Sequence, residues 1–354
     1  MTEDSLPSNR ATGAFERRVA RVLNALVPVD EPLIVACSGG ADSTAALVAV
    51  ARARRADDGP VIAANFDHGL RPAEESARDR EAVESVANLV GRPAVFGTAD
   101  ESSAVAGVGP EAAARESRYG WLASACAQEG ARYTVTGHTL DDQAETVLLR
   151  LTRGAGLTGA SAMRSLAPWP VVCEGDSLHV VRPLLELRRG EARAYVESLG
   201  LEPSEDPTNE LVSFDRNRMR HRVLPELRAV NANVEAALAR FANFARDDDE
   251  ALAGWAEREA QRLVHVAAGT AAIDRDRLLK LPRAVASRVL RQAAGRVGLS
   301  LDASQVAELV HIARRRGTRL SLAGGEAAVV GEELQIRGRV GEGGGRQLDP
   351  PDSA

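Results

Sequence analysis

A strand-like run, LIVAC at 33–37, ends in Ser38-Gly39-Gly40-Ala41-Asp42-Ser43 and passes directly into an alanine-rich helical segment. Residues of these types in this order suit a phosphate. Two glycines let the backbone approach an oxyanion closely, and the helix start supplies unbonded N–H groups and a partial positive charge. The spacing is neither GxxxxGK[ST] nor GxGxxG, so a Walker A loop and a dinucleotide fingerprint are both absent. A glycine pair between strand and helix is common. The whole SGGADS string after a first strand is much more specific.

A second string, Gly137-His138-Thr139-Leu140-Asp141-Asp142-Gln143-Ala144-Glu145-Thr146, follows the short run YTVT. His138 is thereby placed at the carboxyl edge of a sheet, where open α/β folds bind ligands. Asp141 and Glu145 are four apart on the following helix, and Asp142 and Glu145 three apart, so each pair shares a face. Like charges at that spacing repel unless a cation lies between them, and magnesium or a substrate ammonium would serve. An isolated DDxxE string is a solvated helix start, because acids favour the first turn. The strand end and histidine before it favour chemistry. Asp67-His68-Gly69-Leu70-Arg71, after VIAANF at 61–66, is a third string at a strand end. A lone histidine is more often structural; a second one at a second strand end makes coincidence less attractive.

These strings require a scaffold that brings strand ends together. Strand candidates at 33–37, 61–66, 94–97, 133–136 and 178–181 alternate with helical segments at 43–54, 75–90 and 111–128. Such alternation predicts an α/β fold, a Rossmann-like parallel sheet with helices on both faces. Segments 99–110 and 154–170 read as loops. Helices are expected over 233–266, 284–297 and 303–315, with a short strand pair at 318–322 and 327–336. The expected organisation is a disordered N-terminus at 1–12, a catalytic domain at 13–215, a mainly helical domain at 216–340 and a disordered tail at 341–354. Phe241, Phe244 and Trp255 recur at helical spacing and are expected to pack in a core.

The 354 residues, 44% apolar and 27% charged, read as an ordinary soluble globular protein. A net charge of -6 supplies no global positive field and argues against a general nucleic-acid coat. Lys280 is the sole lysine, so positive charge is carried by arginine. Arg182, Arg188, Arg189 and Arg193 form one cluster; Arg216, Arg218, Arg220, His221, Arg222 and Arg228 form another. Either could contact phosphates, and either could merely solvate a helix face. Cys37, Cys126 and Cys173 form no CxxC pair, which leaves a zinc ribbon or iron–sulfur cluster unsupported and suits reduced thiols. No leader-like apolar segment and no membrane span is legible, so a cytoplasmic location is expected.

Taken together, SGGADS, DHGLR and GHTLDDQAET resemble the PP-loop ATP pyrophosphatases and, more narrowly, the tRNA(Ile)-lysidine synthetases. EAAAR at 111–115 with Arg118-Tyr119, RGAG at 153–156, RPLL at 182–185, EDPTN at 205–209 and FDRNRMR at 214–220 agree with that family. Pro203-Ser204 stand where the family leads one to expect an aromatic residue. The resemblance implies ATP and Mg2+ as cofactors and two substrates, tRNA(Ile) bearing a CAU anticodon and free L-lysine. The wobble cytidine would be adenylated at its C2 oxygen and lysine would then displace AMP, giving lysidine and switching codon reading from AUG to AUA. The resemblance further implies that Ser38, Gly39, Gly40, Ala41, Asp42 and Ser43, with Asp67, His68 and Gly137, hold the nucleotide. His138, Asp141, Arg115 and Arg71 would act in catalysis. Asp142 and Glu145 would meet lysine or magnesium, Asp42 and Asp141 would serve the metal, and Arg182, Arg216, Arg218 and Arg220 would meet tRNA. A homodimer is left open. Another PP-loop adenylating activity, tRNA cytidine thiolation or an amidotransferase-type synthetase, is the competing reading; the missing CxxC weakens the first, and the 354 residues leave no room for the glutaminase-like domain of the second. A non-catalytic nucleotide-binding or RNA-binding module would leave the acidic string without purpose.

Overall fold

The computed structural model describes residues 6–69, 72–99, 110–173, 177–204 and 215–338. Arg71, the EDPTN string and the 341–354 tail lie outside the described residues, so the expectations placed on them are not met by any observation. The chain divides into two compact units, Met1–Ala245 and Arg246–Ala354.

The first unit runs α1 (Arg10–Leu26), β1 (Leu33–Ala36), α2 (Ala41–Ala53), β2 (Val61–Asp67), α3 (Ala73–Leu89), β3 (Ala94–Thr98), α4 (Pro110–Glu129) and β4 (Tyr133–Thr136). It continues with α5 (Leu140–Thr152), α6 (Leu157–Ala160), β5 (Leu166–Pro168), β6 (His179–Val181), α7 (Arg189–Ser198) and α8 (Asp215–Arg218). A π-helical turn (Met219–Val223), α9 (Leu224–Val230) and the first part of α10 (Val234–Leu263) complete it. The strand order is β3-β2-β1-β4-β6-β5, parallel except for β5, which pairs antiparallel with β6 at the edge. Alternation of side chains across the pleat explains the two-faced burial. Leu33, Val35, Val61, Ala63 and Val181 face a core shared with α1, α2, α3 and α7. Their neighbours Ile34, Ile62, Ala64 and Val180 face Tyr119, Leu122 and Cys126 of α4. This is the expected α/β scaffold. The 154–170 segment, read as a loop, instead carries α6 and β5, elements too short to leave a periodic signature.

The second unit holds the remainder of α10, then β7 (Val264–Ala267), β8 (Thr270–Asp274), α11 (Arg275–Leu278), α12 (Arg283–Gly295), α13 (Ala303–Ile312), β9 (Arg319–Leu322), β10 (Gly325–Val330) and β11 (Glu333–Gly338). Its sheet has five antiparallel strands in the order β7-β8-β11-β10-β9, not the strand pair expected. α10 passes into β7 with no glycine or proline between them, so the expected helix over 233–266 absorbed that strand. The division between units falls inside α10, well beyond the 215/216 boundary expected. The reason is packing: Leu224 and Val234 bury against Ala144 of α5, which joins 215–245 to the first unit. A second correction concerns α10 itself. Its buried stripe is Ala242, Ala245, Ala256, Ala260 and Leu263, while Phe241, Phe244 and Trp255 are exposed. Helical spacing was right for the aromatics, but small residues one position away occupy the core face.

Candidate active site

Two crossover directions meet between β1 and β4, because β2 and β3 lie on one side of β1 while β4 and β6 lie on the other. Ligands of open α/β sheets bind outside the strand ends at such a switch point. The SGGADS loop leaves β1 there and the GHTLDD string leaves β4.

In the loop, Gly39 sits at φ +86°, a conformation side chains disfavour. The Ser43 hydroxyl accepts from the Ser38 backbone N–H at 3.1 Å and donates to the Gly40 carbonyl at 2.9 Å, which closes the loop on itself. Gly40 is the N-cap of α2 and no side chain caps that helix. Its first amides are therefore left for an external acceptor, as phosphate binding requires. Gly137 is pressed against the same turn: a Cβ there would lie 2.7 Å from the Asp42 carbonyl oxygen. Ser204 also reaches the loop, its N–H donating to the Gly39 carbonyl at 2.9 Å and its hydroxyl to Asp79 at 2.5 Å. A small residue at 204 thus fits over the loop where an aromatic was expected.

Asp142 starts α5 by accepting from the Thr139 N–H and hydroxyl, both at 2.7 Å through Oδ2. Its other oxygen, Oδ1, accepts from Arg189 at 2.8 Å and Arg216 at 3.1 Å. Glu145, fully buried, accepts from Arg216 and Arg220 at 2.8 Å each and from Arg189 at 3.2 Å. Arg189 Nε reaches Asp42 Oδ2 at 3.2 Å. The cation that the acidic spacing demands is therefore supplied by arginine. Burial alone would raise both carboxyls, but the charges of Arg189 and Arg216 hold Asp142 below the ordinary carboxylate range, and the hydrogen bond from Arg220 together with the charge of Arg189 holds Glu145 there too. Asp42 goes the other way: burial, only partly offset by Arg189, raises it to about 6. Its Oδ1 is buried without a hydrogen-bond partner. Asp141 accepts from the Arg189 backbone N–H at 2.8 Å and from half-exposed Arg228 at 3.2 Å.

His138 shares a 2.7 Å hydrogen bond between Nδ1 and the Thr136 hydroxyl. Burial, reinforced by Arg182, Arg216 and Arg118 against the pull of Asp142, lowers its pKa to about 3. The imidazole is neutral at physiological pH and brings a hydrogen bond, not a charge. Asp67 and His68 end β2, the strand beside β1; Asp67 accepts from the Gly69 N–H at 2.9 Å, and His68 meets Phe66 edge-on. Arg115 lies over the Tyr119 ring. Arg182 is buried, Arg216 and Arg220 are committed to carboxylates, and Arg218 is exposed with no ion pair among the described residues. Of the four arginines assigned to tRNA, only Arg218 is on a free surface.

A PP-loop domain family matches residues 12–227. A tRNA(Ile)-lysidine synthase from Salinispora arenicola is 44% identical over 240 residues, 68% of this chain and 69% of that protein. The chain belongs to the tRNA(Ile)-lysidine synthase family. The Thermobifida fusca member is 37% identical over 284 residues, covering 78% of this chain and 80% of its own length. The Deinococcus deserti lysidine synthase is 39% identical over 313 residues, and the match spans 53% of that longer protein. The U34-tRNA thiolase NcsA from Methanococcus maripaludis, solved with its 4Fe-4S cluster, shares the fold: TM-score 0.56 at 14% identity, over 67% of this chain and 80% of that one.

In this lysidine synthase family member the residue that sequence reasoning under-weighted is Arg189, grouped only with a surface cluster. Its signal was positional. A cation in the first turn of a helix opposes the helix dipole and is tolerated where an acid faces it. Arg189 faces Asp42, Asp142 and Glu145 together, and they raise it above the ordinary arginine range although burial opposes them.

Proposed function

We propose that this chain ligates L-lysine to C2 of the wobble cytidine of CAU-anticodon tRNA(Ile), through an adenylated tRNA intermediate. One observation carries the reading: the uncapped start of α2, the Asp42 carboxylate and neutral His138 converge at the β1/β4 switch point in a member of this family. ATP supplies the adenylate. The cytidine C2 oxygen bonds to the α-phosphorus as the bond to the β-phosphate oxygen breaks and pyrophosphate leaves. The lysine ε-amine then bonds to C2, AMP departs with the oxygen, and the amine loses a proton.

The chain's own groups match these needs. The α2 amides and the Ser38–Ser43 loop bind the leaving pyrophosphate, and His138 donates or accepts one hydrogen bond without adding charge. Asp42 fits Mg2+, since one buried oxygen has no partner. No cluster of three or more His, Cys, Asp or Glu residues stands ready for a metal among the described residues. The ion would thus take its other ligands from phosphate and water, its common habit, and neutralise phosphate charge there. Asp141 is the carboxylate we assign to the lysine amine, because half-exposed Arg228 can release it while Asp142 and Glu145 are saturated. The test is transfer of labelled lysine to tRNA(Ile) transcript with ATP present. Incorporation that vanishes without ATP, or when the anticodon is changed from CAU, is expected; no incorporation under any condition would refute the proposal. No helix among the described residues is long and apolar enough to cross a membrane.

A further inference from the structure

Arg118 and Arg150 take no part in the steps above; Arg118, with Arg182, is close enough to His138 to act on its charge. On α4, Arg115 and Arg118 lie 4.9 and 5.4 Å from the centroid of the Tyr119 ring. Arg182, just past β6, donates from Nη1 to the Arg164 carbonyl at 2.8 Å. Arg150, on α5, donates to the carbonyls of Gly159 and Ala162 at 2.9 and 3.1 Å. These are neutral acceptors. None of Arg115, Arg118, Arg150 and Arg182 has a carboxylate partner among the described residues, whereas Arg189, Arg216 and Arg220 are saturated by acids. Arg182 is 6% exposed and its Nε makes no hydrogen bond; the Tyr119 hydroxyl, 1% exposed, meets the guanidinium groups of Arg118 and Arg182.

Burying grouped cations is unfavourable unless an anion joins them. Burial pulls the Arg118, Arg150 and Arg182 guanidinium groups below their ordinary range; repulsion from Arg115 adds to it, and Tyr119 opposes it at Arg118 and Arg182. We propose that Arg118, Arg150 and Arg182, with the Tyr119 hydroxyl, form a preformed oxyanion site for a phosphodiester of the tRNA strand beside the reacting nucleotide. The inference rests on the tRNA substrate proposed above. Guanidinium forks match phosphate oxygens; the unpartnered Arg182 Nε is a donor a phosphate can saturate, and the Tyr119 hydroxyl, accepting from the guanidinium groups, keeps its own proton to donate. The phosphates of ATP already have the open start of α2, so the second cluster is free for the polynucleotide. Beside His138, it would hold the backbone while the base is presented to the adenylating centre.

Binding of unmodified tRNA(Ile) transcript measured against salt, alongside ATP affinity, tests this. Arg118→Gln and Arg150→Gln are each expected to weaken tRNA binding roughly tenfold and to lower the slope of log K against log salt by about 0.7, with ATP affinity unchanged. Arg118→Lys, which keeps the charge and loses the fork, is expected to retain the slope. Thermal melting of each variant confirms that it is folded. Loss of ATP affinity with an unchanged salt slope would assign the cluster to the nucleotide and overturn the proposal. Unchanged binding of both ligands would make the arginines structural and overturn it too. Failure of the wild-type protein to bind tRNA would instead sink the lysidine reading beneath it.

Discussion

At the scale of single residues, the site holds carboxylates pushed in opposite directions, and that difference is measurable. Asp42 has its pKa raised from 3.8 to about 6, chiefly by burial. An acid raised on folding costs nothing below its unfolded pKa and its full penalty above the folded one, so ionised Asp42 destabilises the protein above pH 6. The penalty is at most about 3 kcal/mol, and loss of the Arg189 contact offsets part of it. Asp42→Asn should therefore stabilise the protein by about 1–2 kcal/mol at pH 8 and by nearly nothing at pH 4 in urea titrations, while abolishing adenylation. Asp142 and Glu145 behave oppositely, being held below their ordinary values. Their contribution is present above the unfolded carboxylate pKa and is lost as pH falls through the depressed ones. Glu145→Gln, which leaves Arg216 and Arg220 facing a neutral amide in a buried site, should cost about 3–5 kcal/mol in the same assay.

At the scale of elements, the site depends on how closely β4 approaches the start of α2. A Cβ at Gly137 would meet the Asp42 carbonyl oxygen at 2.7 Å and the Ser43 nitrogen at 2.8 Å, backbone that cannot swing aside. Gly137→Ala should cost about 1–3 kcal/mol of stability and weaken ATP binding measured by calorimetry. Both strand-end strings were legible in the sequence, since a glycine-rich turn and an acid-rich helix start after apolar runs carry their own signatures. The sheet that aligns them was legible for the same reason: β1, β2 and β4 are short apolar runs separated by helical periodicity. The partners of the acids were not. Arg189, Arg216 and Arg220 lie 44, 71 and 75 residues from Glu145 along the chain, and no local pattern announces such contacts. Nor were the exposed faces of Phe241 and Phe244 legible, because a stripe of alanines and a stripe of aromatics share the helical period.

At the scale of the whole molecule, each unit gathers its own buried residues. The second gathers Ile273, Val289, Leu309, Leu334 and Ile336 between its sheet and α12 and α13. Ile273→Ala, at a fully buried position, should destabilise the second unit by about 2–5 kcal/mol while ATP affinity, a property of the first unit, stays at its wild-type value. A parallel loss of ATP affinity would show that the units do not answer separately. The switch-point site of the first unit is proposed to adenylate a tRNA base. Pyrophosphate release, followed with ATP and transcripts carrying a CAU or an altered anticodon and with lysine omitted, tests it most directly. Release that requires the CAU transcript and does not require lysine is the result predicted. Release that proceeds equally without any tRNA would mean that the site does not adenylate tRNA.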